Sequence, residues 1–200
     1  MPLEVDTVQQ PWSSSTKPAP GELELVRVFV NTIDVETGEE KFDSAENLRS
    51  WLVERRLLGA KEQATAGDLR KTVELRLALR EMLAHNNGYP LEPDALPNLE
   101  RAASRAKLTP RFQADAPPSL EPAAAGVDGA LGRIIGIVFR AQSEGTWQRL
   151  KVCREHTCAW AFYDSSKNRS GMWCTMKVCG NREKVRAYRR RARSGARSSS

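Results

Sequence analysis

Four cysteines, Cys153, Cys158, Cys174 and Cys179, stand in the pattern C-x4-C-x15-C-x4-C, two equally spaced pairs separated by a loop long enough to bring them face to face. They fall in a C-terminal stretch of about fifty residues, too short to bury a self-sufficient apolar core. Four thiolates fit tetrahedral zinc, and a structural metal that contributes roughly 10 kcal/mol or more on folding is a natural staple for such a segment. Trp147, Trp160, Phe162, Tyr163 and Trp173 are then expected to pack around it. At this point two other readings stay open. The thiols could work as a disulfide or oxidation sensor, and His156, three residues after Cys153, could replace one cysteine as ligand.

Charge divides the chain at the same place. Residues 147–200 hold fourteen Lys and Arg against three acids, Glu155, Asp164 and Glu183, a surplus of 11. Residues 1–146 hold seventeen basic and twenty-two acidic residues, a deficit of 5. Such asymmetry marks a polyanion-binding end. The opening MPLEVDTVQQPW lacks the basic and apolar regions of a secretory signal, and no apolar run reaches the roughly 20 residues a bilayer span needs. The expectation is a cytoplasmic protein without a membrane partner, in which reduced cysteines serve as ligands or redox thiols rather than disulfides.

Before the cysteines the chain reads as mainly helical. Residues 1–22 are expected to form a disordered leader, since Ser13–Ser15, Pro18 and Pro20 sit in a segment with no apolar period. ELELVRVFVNTID carries helical spacing at Leu25, Phe29 and Ile33 and strand-like alternation at Val26, Val28 and Val30, and helix is favoured. Asp43 with Glu46 suggests a capping box opening a helix that ends near Gly59. The clearest helix runs from about Ala66 to His85, with Leu69, Val73 and Leu77 on one face widened by Leu75, Leu79, Met82 and Leu83. A short helix near Leu99–Ala106, an irregular or paired-strand region over 108–125 and a buried helix over Val127–Ala141 follow, and Gly145 hinges into the basic module. The predicted fold class is mainly α, α+β overall. It comprises a helical domain with a few short strands over 23–145, a four-cysteine finger ending in a basic helix over 146–193, and a disordered tail over 194–200.

The segment RLKVCREHTCAWAFYDSSKNRSGMWCTMKVCGNREKVRAYRRR closely resembles the bacterial CGNR zinc-finger family, whose name is read here as Cys179, Gly180, Asn181 and Arg182. Gly145, Thr146, Trp147, Arg149, Leu150, Lys151, the Phe162–Ser165 stretch and Trp173 belong to the same likeness. Residues 29–34 and the LRLALREMLAHNNG stretch at 75–88 resemble the ABATE domain that accompanies this finger. The resemblance implies one structural Zn2+ on Cys153, Cys158, Cys174 and Cys179, and a stress-induced bacterial transcription regulator.

In the basic helix, Asn181 is expected as N-cap and Val185 with Tyr188 as a strip docking onto the finger. Arg182, Lys184, Arg186, Arg189 and Arg190 are candidate contacts to nucleic acid, with duplex DNA the expected partner and RNA a rival. Pairing of Arg182 and its neighbours with acids of the N-terminal domain is the structural alternative. Asn31, Thr32 and Asp34 are candidates for a pocket taking an unknown small-molecule effector, against the plainer role of local capping, and a homodimer is a candidate assembly. Nothing points to an enzyme: there is no phosphate-binding glycine loop, HExxH or nucleophile elbow, and a four-sulfur site leaves zinc no open position for water.

Overall fold

The computed structural model describes residues 16–197, with side chains described through 192. Residues 1–15 of the expected leader and 198–200 of the expected tail lie outside the described residues. Ala19 is buried in the core, and its backbone N–H donates to Glu24 Oε2 at 2.7 Å.

The architecture is mainly helical with two small antiparallel sheets, in keeping with the predicted class. Helix α1 spans Leu23–Val30, and its apolar residues are buried on nearly every side. That surrounds Val26 and Val30 with core and removes any advantage of the strand-like alternation. Helix α2 is Ala45–Glu54. Its N-cap is Ser44, whose hydroxyl accepts from Asn47 N, and the expected Asp43–Glu46 box does not form because Asp43 bonds Asn47 Nδ2 instead. The chain leaves α2 at Glu54, earlier than Gly59, through the left-handed backbone of Arg56 (φ 55°).

Helix α3, Ala66–Asn86, opens on a capping box made by Thr65 and Asp68. Its buried face carries Leu75, Leu79, Met82 and Leu83, whereas Leu77 is 50% exposed. The expected Leu69–Val73–Leu77 stripe is therefore not the centre of the core face. Helix α4, Ala95–Ala106, ends at left-handed Lys107 and enters a hairpin, β1 (Leu108–Arg111) paired with β2 (Ser119–Pro122). Helix α5, Gly126–Ser143, runs against both. A Cβ at Gly132 would lie 2.6 Å from Ala106 Cβ, and one at Gly136 would lie 2.6 Å from Leu120 O. These glycines, costly for a helix in isolation, are what let α4 and β2 approach α5 so closely.

Gly145, at φ 69°, turns the chain out of α5 into a 3-10 turn at Trp147–Arg149. Strands β3 (Leu150–Val152) and β4 (Ala161–Tyr163) follow, paired with Lys151 opposite Phe162. A π-helical turn, Met176–Gly180, then runs directly into helix α6, Asn181–Arg197. Trp147, Leu150, Val152 and Ala161 belong to the same buried cluster as α1, α3 and α5. One face of the cysteine-bearing hairpin is thus built into the main core. No helix among the described residues is long and apolar enough to cross a membrane.

Candidate metal centre

The cysteines are brought together by three short backbone devices. Cys153 directly follows β3, and its N–H donates to Trp160 O at 2.9 Å. Cys158 closes a tight turn by donating from its N–H to Glu155 O, also at 2.9 Å, and left-handed Ala159 (φ 46°) redirects the chain into β4. Cys174 precedes Thr175, whose hydroxyl accepts from Val178 N and starts the π-turn that carries Cys179.

The four Sγ atoms lie within 4.8 Å of one another, with Cys158–Cys174 at 3.7 Å and Cys174–Cys179 at 3.5 Å. Those separations are far too long for a disulfide bond, about 2.05 Å, and all four cysteines are free. Four sulfurs tetrahedrally placed about 2.3 Å from a zinc ion stand roughly 3.8 Å apart, so the cluster is suited to one such ion. Electrostatics agree. The Cys153 thiol is held low by hydrogen bonds from Cys158 and Cys174, while Cys158 and Cys174 are pushed up chiefly by hydrogen bonding to Cys153, and Cys179 by burial. Crowded thiols of this kind ionise together only around a cation.

Packing divides the aromatics. Phe162, Trp160 and Trp173 surround the sulfurs, as expected, but Trp147 packs in the main core and Tyr163 rests against that core's edge. The reason is that β3 and β4 turn one face to the N-terminal helices. His156 is 70% exposed and faces Glu155 Oε1 at 3.3 Å, outside the sulfur cluster.

The N-terminal helices hold the finger by its backbone. The Asn31 side chain donates to Ala161 O and accepts from Ala161 N, at 2.9 and 2.8 Å. Arg80 donates to Ala159 O at 2.5 Å and to Val30 O at 2.6 Å, and burial pulls its pKa down to about 10. Asn86 Nδ2 donates to Trp147 O and Leu150 O, and Asn87 Nδ2 to Val152 O and Met172 O. The asparagine pair that marks a helix stop in the sequence is a clamp in the structure. Within the finger, buried Lys151 meets Asp164 Oδ2 at 2.8 Å and also donates to Arg169 O and Gly171 O. Burial pushes the Asp164 carboxyl up, but hydrogen bonds from Lys151, Ser166 and Gly171 outweigh it and hold the pKa down at about 2.

Asn31, Thr32 and Asp34 do not converge on one cavity. Asn31 is occupied with Ala161, and Thr32 is buried, donating to Phe29 O and accepting from Arg76. Asp34 accepts from Glu36 N and Thr37 N to shape the following loop. That loop and three cysteines, Cys158, Cys174 and Cys179, line a cavity of about 100 Å3.

Two expectations for the basic helix are corrected. Asn181 has helical backbone and donates to Lys177 O rather than capping the helix, because the preceding π-turn already begins at the Thr175 cap. Val185 and Tyr188 do not dock on the finger; they are 47% and 68% exposed. Ion pairs hold α6 in their place. Arg186 Nη2 meets buried Glu155 Oε1 at 2.6 Å, and Arg182 Nη2 meets Glu36 Oε1 of the N-terminal domain at 2.8 Å. Arg190 pairs with Glu183 at 2.6 Å. Among the described residues Lys184 and Arg189 have no ion pair. The sequence does not single out Glu36, Arg80 or Glu155, since each acts through a partner distant along the chain.

Comparison with known families returns two matches. Residues 23–141 match a family named ABATE and described as "Putative stress-induced transcription regulator", and residues 149–192 match the CGNR zinc finger. No curated protein matches the chain.

Proposed function

Because the chain belongs to the ABATE family and carries a C-terminal CGNR zinc finger, we propose that it regulates transcription by binding duplex DNA through α6. Cys153, Cys158, Cys174 and Cys179 are the four ligands of one structural zinc ion, which would supply a fixed junction rather than a reactive centre. The observation that carries this reading is the unbroken path from Cys179, inside the π-turn, into the basic helix. Wherever the sulfurs are held, the first residues of α6 are held too.

Lys184, Arg189 and Arg191 are the phosphate contacts of this reading, Arg190 is taken up by Glu183, and Arg182 and Arg186 serve first to fix the angle of the helix through Glu36 and Glu155. The finger's surplus of positive charge supports the choice of a polyanion. Fluorescence anisotropy with a labelled mixed-sequence duplex tests it. If about three to five phosphates are neutralised, log K falls against log salt with a slope between about −3 and −5. A flat salt dependence, or binding to single-stranded RNA alone, would reject duplex DNA as the partner.

A second reading, a zinc-thiolate redox sensor, draws on Cys174, which is half-buried and lines the cavity beside the cluster. It predicts metal release by mild peroxide in a protein that binds no DNA at any salt.

A further inference from the structure

Helix α6 leaves apolar side chains uncovered that a merely solubilising helix would not carry. At 100° per residue, Asn181, Val185 and Tyr188 fall within an arc of about 60°, and all three are exposed. Arg189 borders that arc on one side, and Lys184 with Arg191 border it on the other; these three are exposed as well. A shallow groove runs along Asn181, Val185 and Arg189. The acid of this helix, Glu183, points away from the arc, toward Arg186 and Arg190.

Resting on the DNA-binding reading, we propose that Asn181, Val185 and Tyr188 form the row that reads base edges in the major groove, while Lys184, Arg189 and Arg191 straddle it toward the two phosphate backbones. An uncharged row between two cationic borders matches the cross-section of a major groove, whose floor offers methyl groups and hydrogen-bonding edges between two lines of negative charge. From Asn181 to Tyr188 the helix rises about 10 Å, close to three base-pair steps of roughly 3.4 Å. Each residue has a chemistry the floor can meet. Asn181 keeps one amide hydrogen on Lys177 O, which leaves its oxygen and second amide hydrogen for the N6 and N7 edge of adenine, and an aliphatic side chain takes a thymine methyl. A phenol offers a ring face and a hydroxyl. Pairing the same strip with that of a second copy would crowd the borders of two helices, Lys184, Arg189 and Arg191 against their equivalents, with no acid to offset them.

The test uses the full-length, zinc-loaded chain. A binding site is selected from a randomised duplex pool, and the ratio of affinities for that site and a scrambled duplex is measured with its salt slope. Val185→Ala and Tyr188→Ala lie on an exposed face and leave zinc content and helicity unchanged. Each lowers the ratio by roughly tenfold, the scale of one lost base contact, and leaves the slope as it was. Lys184→Ala and Arg189→Ala do the reverse, reducing the slope by about one each and keeping the ratio. A wild-type chain that binds duplex DNA while the Val185 and Tyr188 variants keep its ratio would overturn the reading row alone. So would a wild-type dimer that these two substitutions dissociate in analytical ultracentrifugation. Absence of any duplex binding by the wild type at low salt would overturn the DNA-binding reading and the row with it.

Discussion

The carboxamide of Asn31 pairs with the backbone of Ala161 in both directions, accepting from its N–H at 2.8 Å and donating to its C=O at 2.9 Å. A side chain from the end of α1 thus extends the small sheet of the finger as a further strand would. The zinc module and the helical domain are joined by hydrogen bonds to main-chain groups. Asn31→Ala leaves both Ala161 groups buried without partners, a loss of about 1 to 3 kcal/mol. Urea denaturation of the variant is expected to show a lower midpoint with an unchanged slope.

Arg80→Met is the companion test. It frees Ala159 O and Val30 O together while keeping most of the buried volume. Hydrogen exchange is expected to quicken at Ala159 and Ala161 and at the end of α1, with α4 and the β1–β2 hairpin as protected as in the wild type.

Part of the acid sensitivity should come from Lys151 and Asp164. The Asp164 pKa is held at about 2 in the folded chain, below the roughly 3.9 of an unfolded aspartate. A depressed carboxyl stabilises the fold fully above its unfolded pKa and loses that contribution as pH falls from about 4 toward about 2. Asp164→Asn is therefore expected to be less stable than wild type at pH 7. The gap between them should narrow across the acid range in matched denaturation curves.

Glu36 and Arg182 form an exposed pair at 2.8 Å, which contributes at most about 1 kcal/mol to stability. Its larger effect is on charge. With Arg186 still seating α6 on buried Glu155, removing the acid with Glu36→Ala gives Arg182 to the nucleic acid, so duplex affinity should rise a few-fold at low salt. The salt slope should steepen by about one, with little change in melting temperature.

Chelating the metal is expected to lower the zinc content to zero and to raise hydrogen exchange most over 173–192, while α1 to α5 and the β4 residue Ala161, held by Asn31, stay protected. The buried cluster around α1, α3 and α5 is large and contains no cysteine, so it does not depend on the sulfurs. Circular dichroism should report a partial loss of helix of the size of α6.

The features legible in the sequence were those set by local spacing. The two cysteine pairs and the long α3 each carry their signal within one short window, whereas 108–125 left irregular chain and paired strands as equal alternatives. What stayed hidden depended on contacts distant along the chain. Leu75 and Leu77 stand on opposite sides of α3, about 200° apart, each with leucine or valine neighbours at helical spacing, and only the placement of the other helices decides that the Leu75 side is the buried one. Val185 and Tyr188 have the spacing of a docking strip, but Glu155 and Glu36 seat α6 by its arginines and turn that strip outward. Asn86 and Asn87 signal a helix end, and no local pattern reveals that they reach finger carbonyls from Trp147 to Met172.

In the proposed mechanism one zinc ion on four cysteines aims the basic helix at duplex DNA. Anisotropy titrations of a fixed duplex, run on zinc-loaded wild type and on Cys174→Ser, test it most directly when each sample's zinc content is measured by native mass spectrometry. One zinc per wild-type chain with tight, salt-dependent binding is expected, and a variant that has lost both the metal and at least tenfold in affinity. A metal-free variant that binds the duplex as tightly as wild type would contradict it.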